Sequence, residues 1–189
     1  MWSITISTAP TVEPVSAADA KAHLRVTHTN DDSYITNAIT AARKQVEMDI
    51  GRSLIAQTAV YRSDRFPKTP FCLPNPPISA VSSITYYDSA GATQTVATTN
   101  YALDSYSGQL DMTSTGSWPE PRGQAGDVTI TYTAGYGTAA THVPEGIIHA
   151  IKLLVTDLYE NRNLTMADAV ENPAYRRLLM PYNARAIVG

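Results

Sequence analysis

Apolar residues in this chain follow two periods, and the change from one to the other marks out its parts. Between Val143 and Asn163, Ile147, Ile148, Ile151, Leu154, Val155 and Leu158 recur at the i, i+3, i+4, i+7, i+8 spacing of one helical stripe. His149, Lys152, Thr156 and Glu160 fall on the opposite side. Pro144 suits a first turn, where a missing N–H costs nothing, and Glu145 complements the positive end of the helix dipole. Burying six such side chains is worth on the order of 10 kcal/mol before the entropy of ordering them is subtracted. The pattern predicts a long core helix over about 144–161. Leu153 points off the stripe and Tyr159 sits at its edge; a monomer tolerates this, and a neighbouring subunit would also cover them.

Three other segments read as helices. Ser16-Ala17-Ala18-Asp19 has the form of a capping box and predicts a short helix over about 17–25, with Ala20, His23 and Leu24 as a modest apolar face. Ile35, Ile39, Ala42, Val46 and Ile50 form a narrow stripe over about 32–50. Asp31 or Asp32 is placed to cap it, Arg43 and Lys44 weight its later part with positive charge, and Gly51 stands where a left-handed C-terminal residue belongs. Asn172-Pro173 starts a last helix, about 173–180, that Pro181 stops.

From Leu54 the period falls to two. Thr58 to Arg62, Val81 to Tyr87, Thr93 to Ala97, Tyr101 to Asp104, Gln109 to Met112 and Val128 to Ala134 read as strands, with turns at Asp88–Gly91 and Ser107–Gly108. Prolines at 67, 70, 74, 76 and 77 keep strands between them short. Ser114 to Gly126 reads as an exposed loop, and residues 1–12 as a short, polar, β-leaning arm whose order depends on contacts. The expected fold class is α+β. It is one domain whose helical part (13–52 plus 143–181) carries an inserted antiparallel β-rich region, about 55–135 within 54–137, and ends in a flexible tail, 182–189.

Composition narrows the function by exclusion. At 189 residues, 43% hydrophobic and 16% charged, the chain is long enough for a real core and too apolar for global disorder. A net charge of −3 argues against a protein that grips nucleic acid over its whole surface. The segment from Asn172 to Gly189 differs: Arg176, Arg177 and Arg185 stand there without an acid, either as a solvated end or as a contact segment that orders on binding. Cys72 is the sole cysteine, so no internal disulfide or thiol metal cluster forms, in keeping with a reducing cytosol. The start lacks the pattern of a signal peptide, and no apolar run is long enough to cross a bilayer.

Catalytic patterns are missing. The four histidines, His23, His28, His142 and His149, show no metal-ligand spacing. Asp31-Asp32 reads as a helix cap rather than a cation site. Cys72 lies among prolines with no histidine near it in sequence. Gly135-Tyr136-Gly137 between a strand and a helix lacks the third glycine and the βαβ setting of a dinucleotide loop, so it reads as a tight turn with positive φ. No enzyme activity, metal or cofactor is expected.

Several stretches together resemble one family. Glu13 to Val26 (EPVSAADAKAHLRV), Asp31 to Thr58, Asp64-Arg65-Phe66-Pro67, Leu73 to Asp88 (LPNPPISAVSSITYYD), Val128 to Gly137 (VTITYTAGYG) and Tyr159-Glu160-Asn161-Arg162 occur in the order found in head–tail connector proteins of tailed bacteriophages, also called adaptor or head-completion proteins. Departures are Glu145-Gly146, where the family more often has a basic and apolar helix start, and the segment after Asn163. The resemblance implies a structural virion protein at the head–tail junction, made in the bacterial host cytoplasm. About a dozen copies would form a ring under the portal protein, extend the channel for double-stranded DNA without sequence-specific binding, and dock a downstream stopper or tail-completion protein. No membrane is involved. Phage, prophage and gene transfer agent origins are not separated. The subunit or portal interface expected on this basis comprises Leu153, Tyr159, Arg162, Tyr175, Arg176, Arg177, Tyr182 and Arg185. The alternatives are a stopper or tail-completion protein, a small enzyme, or a DNA-binding regulator.

Overall fold

The computed structural model describes residues 1–162 and 172–184. The chain divides into two compact units, one of Met1–Pro10 with Ala56–Tyr136, the other of Thr11–Ile55 with Gly137–Gly189. The α+β class is as expected, with antiparallel pairing throughout. The expected architecture, a helical bundle built on a long C-terminal helix and carrying a β insert, is not. The helix after the strands has 16 residues against 19 in the one at Asp32–Ile50, and the β-rich part has a complete core of its own.

That β unit contains eight strands among the described residues: β1 (Trp2–Thr8), β2 (Gln57–Ser63), β3 (Phe71–Cys72), β4 (Ile78–Tyr87), β5 (Thr93–Thr95), β6 (Tyr101–Asp104), β7 (Gln109–Met112) and β8 (Val128–Ala134). One sheet has the order β1-β2-β8-β4-β5, the other β3-β7-β6. β8 is central, and its alternation is textural proof of the period-two reading: Val128, Ile130, Tyr132 and Ala134 are buried while the residues between them are half-buried. With Ala59, Tyr61, Leu73, Ile78, Ile84, Val96 and Leu110 they form one apolar cluster. The hairpin turn at Gly108 needs its glycine, because φ is +73° and a Cβ would lie 3.0 Å from Ile78 and 3.2 Å from the Leu73 carbonyl.

Two segments of this unit make contacts that the sequence did not specify. The β-leaning N-terminal segment takes its order from a specific contact: Trp2 to Thr8 form an edge strand on β2, with Ile4 packed on the core and Trp2 stacked on Tyr61 at 5.8 Å. Trp2, Ile4 and Ile6 alternate with Ser3, Thr5 and Ser7, a strand pattern, but its pairing partner lies fifty or more residues away and is not legible locally. The Ser114–Gly126 loop is also not simply exposed. Trp118 packs on the apolar cluster and stacks on Phe66 at 4.9 Å, and the buried carboxylate of Asp127 accepts from Arg122 Nη2 at 2.7 Å and from the Gln124 amide.

The helical unit contains α1 (Ala17–Leu24), α2 (Asp32–Ile50), α3 (Glu145–Glu160) and α4 (Pro173–Leu179). Ser16 Oγ accepts from the Asp19 amide at 3.0 Å as the capping sequence predicts, and Gly51 closes α2 at φ +65°. The α2 stripe is buried as read. On α3, Ile147, Ile151, Leu154 and Val155 are buried with Ala150, whereas Ile148 and Leu158 are half-buried. Among the described residues no helix is long and apolar enough to cross a membrane.

Candidate assembly surface

Nothing among the described residues groups three or more metal-ligating side chains. The residues singled out in sequence sort instead by how far the helical unit has already engaged them. At the C-terminal end of α3, Tyr159 Oη donates to Asp31 Oδ2 at 2.7 Å and Arg162 Nη2 pairs with the same oxygen at 3.1 Å. The Arg162 guanidinium lies over the rings of Tyr34 and Tyr159, 4.5 and 5.1 Å from their centroids, and Tyr34 Oη donates to the Leu158 carbonyl. Asp31 therefore does not cap α2 with its side chain; it anchors the end of α3, and Asp32 pairs with Lys21 of α1. The Tyr159 hydroxyl, and then Arg162, hold the Asp31 carboxyl below the usual carboxylate range, and the same hydrogen bond pushes the Tyr159 phenol up. Arg162 keeps about half of its side chain in solvent (48%), so this node is a rigid platform with one cationic face outward.

α4 shows the same division between anchored and free residues. Asn172 Oδ1 accepts from the Ala174 amide at 3.0 Å, and Pro173 fills the first turn. Tyr175 is buried and its Oη donates to Asp49 Oδ2 at 2.6 Å, so burial and the carboxylate together raise its phenol strongly. Its side chain is committed to the fold, and the amphipathic geometry of α4 turns Arg176 and Arg177 outward, both exposed. Met180 beyond them is 76% exposed. A shallow groove of about 420 Å³ runs between Asp49 and Ile50 of α2 and Tyr175, Leu179 and Met180, with the two arginines beside it.

Tyr182 is half-buried; its carbonyl accepts from Arg52 Nε at 2.6 Å, and its ring lies against Gly146 of α3, where a Cβ would come within 3.1 Å of the hydroxyl. A side chain at Gly146 would have to push the Tyr182 ring aside by a few tenths of an ångström. Leu153 is half-buried on α3. Arg185 lies outside the described residues.

Sequence reading missed the charged group inside the unit. Arg43 is 5% exposed, donating from Nε to Glu13 Oε2 and from Nη1 to Glu47 Oε2, each at 2.7 Å, while Glu47 Oε1 accepts from the Leu54 amide. The i, i+4 spacing of Arg43 and Glu47 was the available signal. The third partner, Glu13, lies thirty residues earlier. In the β unit, a cleft of about 780 Å³ is walled by the Phe66–Trp118 stack and the chain at Arg65–Thr69 and Pro119–Gly123.

The helical unit thus presents anchored helices with exposed cations at Arg162, Arg176 and Arg177 and a half-buried Leu153. Residues 14–189 match the head completion protein family. The chain belongs to that family. The resemblance to head-completion proteins read from its ordered motifs is therefore correct. No curated protein sequence matches it. Among solved structures, the chain is similar to one from the neck of an empty gene transfer agent particle computed with C6 symmetry, at 21% identity and a TM-score of 0.78 over 96% of this chain and 95% of that one. It is also similar to a chain of the virion of a native gene transfer agent particle (22%, 0.76, 95% and 94%). A chain from the native neck computed with C12 symmetry gives 23% and 0.68 over 97% and 94%.

Proposed function

We propose that this head completion protein is a connector that assembles as a ring beneath the portal, extends the DNA channel and presents a docking surface to the next connector or tail component. The observation that carries this reading is the family match over residues 14–189, joined to a fold shared along nearly the whole chain with proteins of cyclically symmetric necks. In such a ring identical subunits meet head to tail, so each must offer two different patches.

Leu153, the Arg162 platform and the Arg176–Arg177 pair are the residues we assign to the subunit or portal contacts, because each leaves apolar or cationic surface unused by the fold. Tyr159, Tyr175 and Tyr182 support them from within. A conduit must release DNA. Six to ten phosphate contacts per bound protein would act as a brake, and the net charge of −3 avoids that. The test is the mass of the protein by light scattering, alone and mixed with purified portal rings. Joining at about one copy per portal subunit is expected; a protein that ignores portals at every concentration and binds tails instead is a stopper or tail-completion protein.

A further inference from the structure

The five-stranded sheet is open, and its two edges lie within one unit. On one side is β1, whose outer edge pairs with no strand among the described residues. On the other, β5 covers β4 only from Thr85 to Tyr87, leaving the outer edge of Ser79–Ser83 without a strand partner. Natural sheets protect such edges with lysines, prolines or a covering segment. Here Trp2–Thr8 contains neither a charge nor a proline, and nor does Ser79–Ser83 or Thr93–Thr95. Register shifts are the guards here: one on β1 between Ile6 and Thr8, which leaves Trp2 to Ile6 regular, and two on β4, between Ile78 and Ala80 and between Val81 and Ser83. Trp2 and Ile6 are 61% and 43% exposed, an apolar surface on a strand that the fold does not cover.

Strand direction decides which edges are compatible. Neighbours alternate throughout β1-β2-β8-β4-β5, so β1 and β4 run in opposite directions. A sheet continued head to tail into a second copy keeps that alternation only if β1 of one copy lies antiparallel against the open edge of β4 in the next. Resting on the ring reading above, we propose that β1 of each subunit pairs with Ser79–Ser83 of its neighbour, so that a sheet runs from copy to copy. The two edges are different surfaces of one chain, as a heterologous interface requires, and being uncharged they meet without repulsion.

The test uses the full chain with Cys72→Ser, Thr5→Cys and Ser82→Cys, assembled on portal rings and treated with a short bis-maleimide. The expected result is a ladder of covalent multimers beyond the dimer, absent when either introduced cysteine is left out. Rings of full mass by light scattering that give no ladder overturn the pairing while leaving the ring intact. Failure of the unmodified chain to assemble on portals removes the ring reading and the pairing with it. A second variant, Thr5→Lys, places a charge on the outer edge. It is expected to keep the parent's urea midpoint and lower assembly at least tenfold; assembly equal to the parent's would also overturn the pairing.

Discussion

At the scale of single residues, the charged groups of the helical unit divide by burial. Arg43 is enclosed between two carboxylates, and removing it leaves Glu13 and Glu47 facing each other, with Glu47 already pushed up by its burial. Arg43→Ala should cost about 3–5 kcal/mol, read as a lowered urea midpoint at unchanged slope. Asp31 is a different case. Its carboxyl titrates below the ordinary 3.8, so the stability it contributes is present above that value and is lost as pH falls through its depressed folded value. Asp31→Asn should therefore lower stability at pH 7 and leave a smaller difference from the parent once the pH falls below the ordinary carboxylate range, measured by urea titrations from neutral to acid pH. A variant whose deficit stays constant with pH would show that Asp31 acts by shape alone.

Among the elements, α4 depends most on its surroundings. Seven residues are too few for an isolated helix, and this one holds because of its Asn172 cap, the Tyr175–Asp49 hydrogen bond and the burial of Leu179. Asn172→Ala should remove about 1 kcal/mol and speed hydrogen exchange of the α4 amides about fivefold, with α2 unaffected. β1 shows the converse dependence: a strand of mostly small polar residues is kept in place by its ladder to β2 and by Trp2 on Tyr61.

For the whole molecule, the prediction concerns which face meets the portal or a second copy. Leu153→Asp alone, and Arg176→Glu with Arg177→Glu, change half-buried or exposed side chains and leave the described cores untouched. Both variants are expected to fold with the parent's thermal midpoint and to lose at least tenfold in portal binding by light scattering. Undiminished binding by either would remove its residues from the proposed interface.

Local chemistry was enough to determine much of this protein from sequence. The Ser16 capping box, Gly51, the α2 stripe and the alternation of β8 are decided by neighbours within a few residues, and those signals are legible without a fold. The ordered motifs were likewise sufficient for the family. Only tertiary structure decided the rest. β1 exists because β2 offers it a ladder, Asp31 gives up a capping role because Tyr159 and Arg162 reach it from another helix, and Arg43 is buried because Glu13 arrives from a distant segment. Each is a pairing between groups far apart in the chain, where loop closure and burial, not spacing, determine which partners meet.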